Sequence, residues 1–475
     1  MSILEKKSVR GFALFAAIAT AVSAVAAPVD EARKLMDSGR YEEALPLLRK
    51  VVKSKPRDAA ANWLLGKALV ETGNESEGVR HLVVAESRGN VDAAACLARL
   101  AFYSYNPEEA QEHLDAWENA ARKAKKALPD DFFRMTSSVV AMENMLQRVE
   151  KIEIIDTLVV DSAAFFRHYR LSPHAGSLAP GEALASQESA TVVFVPETRS
   201  EMYWAATDSA GHSSVFSSAI LDDGTVEHPR QADFGNDGDD SFPFLMPDGM
   251  TLYYASTDGP DGLGGYDIYM TRRNDDGTYM QSQNLGMPYN SPFNDYMLAI
   301  DETTGLGWWA SDRDGIPGAV TIYVYAPAET RVNHDSGAEN ISALARLSDI
   351  SLTRDAEKDY KALLASKLAK ADADGSASGA RTAPGFELDM GARGVYTALE
   401  DFRSGDARRA MLRYLAAEAE IRKMLAALER LRESYAAKRS QAVAAQILEA
   451  EERIDNERRA LLSLKNTVVR LESGS

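Results

Sequence analysis

The 475-residue sequence predicts a multidomain α + β protein. It should hold N-terminal helical repeats, a central all-β propeller-like domain that is small or incomplete, and a C-terminal long helix. Three observations carry this. Gly39 and Gly73 stand 34 residues apart in an Ala- and Leu-rich helical stretch, the interval of a helical-repeat array. Residues 241–286 read as strand, Pro-Asp-Gly turn, strand, glycine-rich loop, strand, Asp-Asp-Gly-Thr hairpin and strand, the order of one propeller blade. From Gly405 onward apolar residues recur every seven positions.

Residues 1–26 carry Lys6, Lys7 and Arg10, an apolar run from Gly11 to Val25, and Ala24-Val25-Ala26. A basic region, an apolar region and a small-x-small site in that order predict a secretory signal peptide cut after Ala26. The apolar run is short for a membrane span and is not repeated downstream, so the mature chain is expected to be exported without a transmembrane segment. The single cysteine, Cys96, excludes an internal disulfide and cysteine-based metal sites. With 53 basic against 71 acidic residues and a net charge of −18, nucleic acid is not an expected partner.

Residues 28–150 are predicted to form helical repeats with a capping helix. In the first unit Gly39, Tyr41, Ala44, Leu48 and Pro56 hold packing and closing positions. In the second, Trp63, Leu65, Gly66, Gly73, Gly78 and Ala85 do so; a weaker third has Ala98, Ala110, Leu114 and Trp117. Small residues let paired helices approach and large ones fill the groove between units. The helix predicted over 131–150 places Met135, Val139, Met142, Leu146 and Val149 on one face.

Residues 151–340 are assigned to the propeller-like domain. Its repeat shows in Met202–Asp208, Leu252–Asp258 and Gly307–Asp312, with a common alanine at 205, 255 and 310, and in Asp222–Thr225 against Asp275–Thr278. Three blades are fewer than a closed ring usually has. Residues 151–189, read as a degenerate blade, and strands near 385–388 and 394–398 are the candidates to extend it. Residues 341–404 hold two helical segments (341–350 and 356–369), the polar linker Ala371–Pro384 and those strands. Residues 405–472 form a coiled coil or a helical hairpin. The series Tyr414, Ile421, Leu428, Tyr435 and Ala442 is followed, out of phase, by Ile447, Ile454, Leu461 and Val468. Each apolar seam needs a covering helix, which makes self-association one expectation.

Residues 28–124 resemble the tetratricopeptide repeat family, which implies a curved scaffold that docks on protein partners. Phe242-Pro-Phe244, Pro247-Asp-Gly249, Leu252-Tyr-Tyr254, Gly262–Tyr269, Asn284-Leu-Gly286 and Asn290-Ser291 resemble the TolB-like, WD-like propeller repeats of bacterial periplasmic proteins. Those repeats often follow tetratricopeptide repeats and precede an OmpA-like domain, in whose place this sequence has the helical C-terminal segment. Peptidoglycan binding is therefore not carried over. The resemblance implies a non-enzymatic periplasmic scaffold of a Gram-negative envelope, in some relatives tied to envelope integrity or type IX secretion, whose partners are other envelope proteins.

No catalytic, cofactor or metal site is expected. The seven histidines (His81, His113, His168, His174, His212, His228, His334) are scattered, and no nucleophile elbow, phosphate loop or dinucleotide fingerprint occurs. The partner-contact candidates are Trp63 and Trp117 in the repeats and Asp258, Asp261 and Tyr266 in the glycine-rich loop. The alternative is a carbohydrate-binding or hydrolytic propeller in which Asp239, Asp258 and Asp312 converge; a bare structural spacer is the third reading.

Overall fold

The computed structural model describes residues 28–181, 192–222, 224–373, 388–389, 395–396, 399 and 402–438, and within 446–472 the positions 446–447, 450, 453–454, 457, 460–461, 464–465 and 467–472. The signal peptide read at 1–26 lies outside the described residues. The chain divides into two compact units, residues 1–147 and 148–475.

Among the described residues the first unit holds seven helices: α1 (28–37), α2 (Tyr41–Ser54), α3 (Ala59–Glu71), α4 (Glu75–Ser87), α5 (Val91–Tyr103), α6 (Pro107–Lys123) and α7 (Asp130–Leu146). They pair as α1/α2, α3/α4 and α5/α6, with α7 last. Polar side chains satisfy the free N–H groups at helix starts: Asp58 accepts from the Ala61 amide at 2.9 Å and Asn90 from Ala93 at 2.8 Å. Gly66 and Gly78 set the distance between α3 and α4, since a Cβ on Gly78 would lie 2.8 Å from the Gly66 carbonyl oxygen.

The turn inside each pair repeats bond for bond. Gly39 (φ +74°) donates to Met36 O, Gly73 (φ +80°) to Val70 O, and Tyr105 (φ +59°) to Phe102 O; the following amide then reaches back to residues 35, 69 and 101. The third unit thus puts a tyrosine in a left-handed conformation that glycine holds twice. It sits 32 residues after Gly73 rather than 34, which is why this unit is faint in the sequence.

The second unit contains, among the described residues, three sheets of four or five strands. The first is β2-β3-β4-β5-β6, from β2 (Ser177–Pro180), β3 (Val192–Val195), β4 (Glu201–Thr207), β5 (Ser213–Ala219) and β6 (Arg230–Gln231). The second is β7-β8-β9-β10, from β7 (Asp240–Leu245), β8 (Thr251–Ser256), β9 (Asp267–Arg272) and β10 (Gln283–Asn284). The third comprises β11 (Asp295–Asp301), β12 (Leu306–Ser311) and β13 (Ala319–Ala326), and its outer strand is β1 (Glu153–Asp161), antiparallel to β13 from Glu153↔Ala326 to Asp161↔Ala319. The strand that opens this unit therefore completes the last sheet. Aromatic and aliphatic side chains of all three sheets share one core, including Phe194, Phe244, Tyr254, Tyr296 and Trp308.

This corrects the reading of 151–189 as a further blade. Its first strand is the edge of the third sheet and its last among the described residues, β2, is the edge of the first. Between them lie two single-turn helices (Phe165–His168, Pro173–Ala175). This stretch inserts Phe165, Phe166 and Tyr169 into the core, and the Tyr169 hydroxyl donates to Met297 O at 2.8 Å. Among the described residues the sheets do not close into a barrel.

Among the described residues, the segments read near 385–398 add no blade either. Leu388–Asp389 pairs with Val395–Tyr396 in a separate two-stranded ladder that packs with the C-terminal helices. Beyond the sheets come α8 (Ile341–Arg346) and α9 (Tyr360–Ala373); the linker read at 371–384 lies outside the described residues from 374 onward. Helix α10 spans Gly405–Lys438, and the described residues of 446–472 are helical (α11). Ile421 and Leu428 on α10 cluster with Ile454, and Val468 clusters with Phe402, Ala407, Ala410 and Met411. The Glu472 carboxylate accepts from the Arg403 and Ser404 amides, both at 3.0 Å. The end of α11 meets the start of α10, so the two pack antiparallel, and at the described positions the chain itself covers the apolar seam.

Candidate partner-binding surface

In the repeats, the first helices of successive units adjoin, α3 against α5 and α5 against α7. Trp63 is half-buried there, between the clusters formed by α1/α2/α3 and α4/α5, with the Lys67 ammonium 5.9 Å from its ring centroid. On α5, Arg99 lies 5.6 Å from the Trp117 ring and pairs with Asp131 of α7. Cys96 is half-buried between these cations. Burial pushes its thiol pKa up, and Arg99 and Lys67 pull the other way. The face thus combines an indole, two cations and a carboxylate that keep partial solvent access.

Trp117 is placed differently from Trp63. It is 3 % exposed and meets Phe132 edge-to-face at 5.2 Å, joining α6 to α7. A buried indole offers its ring to the core and not to a partner. Next to Trp63 in α3, buried Asn62 donates to Pro56 O and Asp58 O and contacts His81 Nδ1 at 2.9 Å.

In the β unit, the loop carrying Asp258, Asp261 and Tyr266 is a packing device. A Cβ on Gly259 would lie 2.3 Å from the Tyr269 ring, and Gly265 is at φ +65° against Asn294. The loop amides of Leu263 and Gly264 donate to the carboxylate of Asp267, at 2.8 and 3.2 Å. Burial pushes the Asp267 carboxyl well above the usual carboxylate range, and neighbouring Asp295 adds to this. Asp258 and Asp261 are exposed; Tyr266 is half-buried edge-to-face on Phe242.

Successive sheets are joined by the same latch used twice. Between the second and third, Asn294 Oδ1 accepts from the Tyr266 amide at 3.0 Å while its own amide donates to Asp312 at 2.8 Å. Between the first and second, Asp239 Oδ1 accepts from the Ser213 amide at 2.9 Å while its amide donates to Thr257 at 2.9 Å. Asp239 and Asp312 therefore serve different joints. Beside the first joint are cavities of about 200 and 480 Å³, the smaller touching Thr207, Asp239 and Phe242, the larger His212, Asn236 and Asp240. Asp240 is 8 % exposed, and burial pushes its pKa up to about 6.

Among the described residues no group of three or more His, Cys, Asp or Glu side chains is arranged to hold a metal ion. No helix among them is long and apolar enough to cross a membrane. Sequence reasoning passed over Lys67, Arg99 and Asp131, although Lys67 and Arg99 lie four residues after Trp63 and three after Cys96 on their helices.

A tetratricopeptide repeat family model matches residues 35–83, which cover the turn of the first helix pair and all of α3. No curated protein and no solved structure shows a significant match to the chain.

Proposed function

We propose that the chain is a non-enzymatic scaffold of the bacterial cell envelope that binds a protein partner on the α3/α5/α7 face. One observation carries this: within the matched tetratricopeptide segment, Trp63 and Lys67 stay half-exposed on the face where first helices adjoin. Half-buried aromatic and cationic groups are what interface anchors use. Export to the periplasm rests on the N-terminal sequence pattern alone, and a TolB-like role for the β unit on its blade motif and its three latched sheets. Links to envelope integrity or type IX secretion belong to the same proposal. The use of Asp239 and Asp312 in separate latches supports a scaffold over a hydrolytic reading.

A photo-crosslinking residue at position 63 or 67 of the full chain, expressed in its native envelope, tests this. It should capture one discrete partner, whereas the same residue at Val83, exposed on the second helix of the same repeat, should not. Equal capture at all three positions, or none, defeats the proposal. Export is checked separately by N-terminal sequencing of the secreted form, which should begin at Ala27. At its described positions the C-terminal seam is covered in cis, so this reading does not need a second copy of the chain.

A further inference from the structure

The second helices of repeats two and three carry a charge cluster that partner docking does not use. His113 on α6 has a side chain 13 % exposed, with Nδ1 2.7 Å from Glu86 Oε1 on α4. Its Nε2 is 3.9 Å from Glu109 Oε1, one turn earlier on α6. Glu86, itself 16 % exposed, belongs to the preceding repeat, so the contact spans the repeat junction. The charged groups facing the imidazole are Glu86 from α4 and Glu109 and Glu112 from α6, all acidic. A neutral imidazole has one N–H and can serve one of the flanking carboxylates; an imidazolium has two donors and a charge that all three attract.

We propose that His113 is an acid-engaged clamp between the second and third repeats, closed when the ring is charged and loosened when it is neutral. The contacts hold the charged ring against the cost of burial, so its folded pKa lies above the ordinary histidine value. Such a group contributes its full stabilisation below that ordinary value, about 6.5. The contribution fades as pH rises through the higher folded value. The clamp stands on this junction alone, whether or not a partner uses the α3/α5/α7 face.

Hydrogen exchange of the full chain between pH 5.5 and 8.5, with protection factors corrected for intrinsic rates, tests it. Amides of α4 and α6 should lose roughly three- to tenfold protection from the acid to the alkaline end, while α2 changes little. In His113→Gln the two helices should show flat profiles at the unprotected level. In Glu86→Gln, which keeps an acceptor but removes the charge, the drop should shrink. Circular dichroism confirms that each variant is helical, and if His113→Gln fails to fold, the Glu86→Gln profile decides. An unchanged pH profile in either folded variant, or a flat one in the parent, overturns the clamp.

Discussion

Arg313 donates to Asp295 at 2.6 Å with both side chains sealed from solvent, 2 % and 0 % exposed. The guanidinium also donates to Ser311 Oγ at 2.9 Å, Pro288 O at 2.9 Å and Tyr289 O at 2.7 Å. One side chain thus ties β11 of the third sheet to the end of β12 and to the loop arriving from the second sheet. Removing it strands a buried carboxylate and two carbonyls. Arg313→Ala should destabilise the β unit by about 3–5 kcal/mol, read as a shifted urea midpoint in tryptophan fluorescence. Asp295→Asn, which keeps a hydrogen-bonding partner, should cost less. A surface-like loss under about 1 kcal/mol for Arg313→Ala would mean that the pair does not hold the joint.

The second sheet has the same layout without the cation. Asp240 pairs with Ser256 in β8 as Asp295 pairs with Ser311 in β12, but Asp258 stands at the position corresponding to Arg313. The Asp240 carboxyl is pushed up to about 6 from an ordinary 3.8, burial being the main cause. A carboxyl with a raised folded pKa favours folding while protonated. Its contribution is present below about pH 4 and is lost as pH rises through 6, up to about 3 kcal/mol for a shift of this size. Asp267 acts in the same direction. The β unit should therefore unfold more easily at pH 7.5 than at pH 5, and Asp240→Asn should raise its stability at pH 7.5 by about 1–3 kcal/mol while leaving pH 4 nearly unchanged. Denaturation midpoints at both pH values check this, and a parent protein more stable at pH 7.5 would contradict it.

Glycines in the blade differ sharply in what they tolerate. A Cβ on Gly259 would meet the Tyr269 ring at 2.3 Å, whereas Gly277, at the tip of the Asp-Asp-Gly-Thr hairpin, has open space and φ +84°. Gly259→Ala should cost about 1–3 kcal/mol through overpacking. Gly277→Ala should cost only about 1 kcal/mol, from the left-handed backbone. Thermal melts of the two variants rank them, and an equal or reversed order would refute the packing role of the Gly259 loop.

The two tryptophans of the repeat array separate stability from recognition. Trp117→Ala empties a core position between α6 and α7 and should cost the array about 3–5 kcal/mol. Trp63→Ala, at a half-exposed position, should cost less and should abolish crosslinking from position 67. Melting curves give the first comparison and the crosslink yield the second. Comparable losses of stability would place Trp63 in the core as well.

Local signals were legible and long-range pairings were not. The order of modules follows from periodicity, and the hairpins at Gly224 and Gly277 follow from their Asp-Asp-Gly-Thr sequences, because each depends on neighbouring residues alone. The pairing of β1 with β13 joins residues more than 150 positions apart, and nothing in Glu153–Asp161 names its partner. The Arg313–Asp295 pair was hidden because Arg313 stands between Asp312 and Asp314, both nearer to it in sequence than Asp295. Tyr105 broke the glycine spacing while keeping the glycine's conformation. Of the surface candidates, Trp63 was visible as a repeat aromatic, but the cations beside it depend on which helices adjoin.

Glu472 decides the form of the C-terminal segment, since heptad spacing fits one long helix and a hairpin equally well. Its carboxylate is fully buried and accepts from the Arg403 and Ser404 amides and, at 3.2 Å, from the Tyr396 hydroxyl. A carboxylate at the amides that open α10 also meets the positive end of the helix dipole. Glu472→Ala should leave those amides without their acceptor and weaken the hairpin by about 2–4 kcal/mol. Limited proteolysis should then cut between 446 and 472 several times faster than in the parent, while the three-sheet core stays resistant. Sedimentation should give a monomer for both proteins. A parent dimer that dissociates on Glu472→Ala would show that the seam is covered by a second chain.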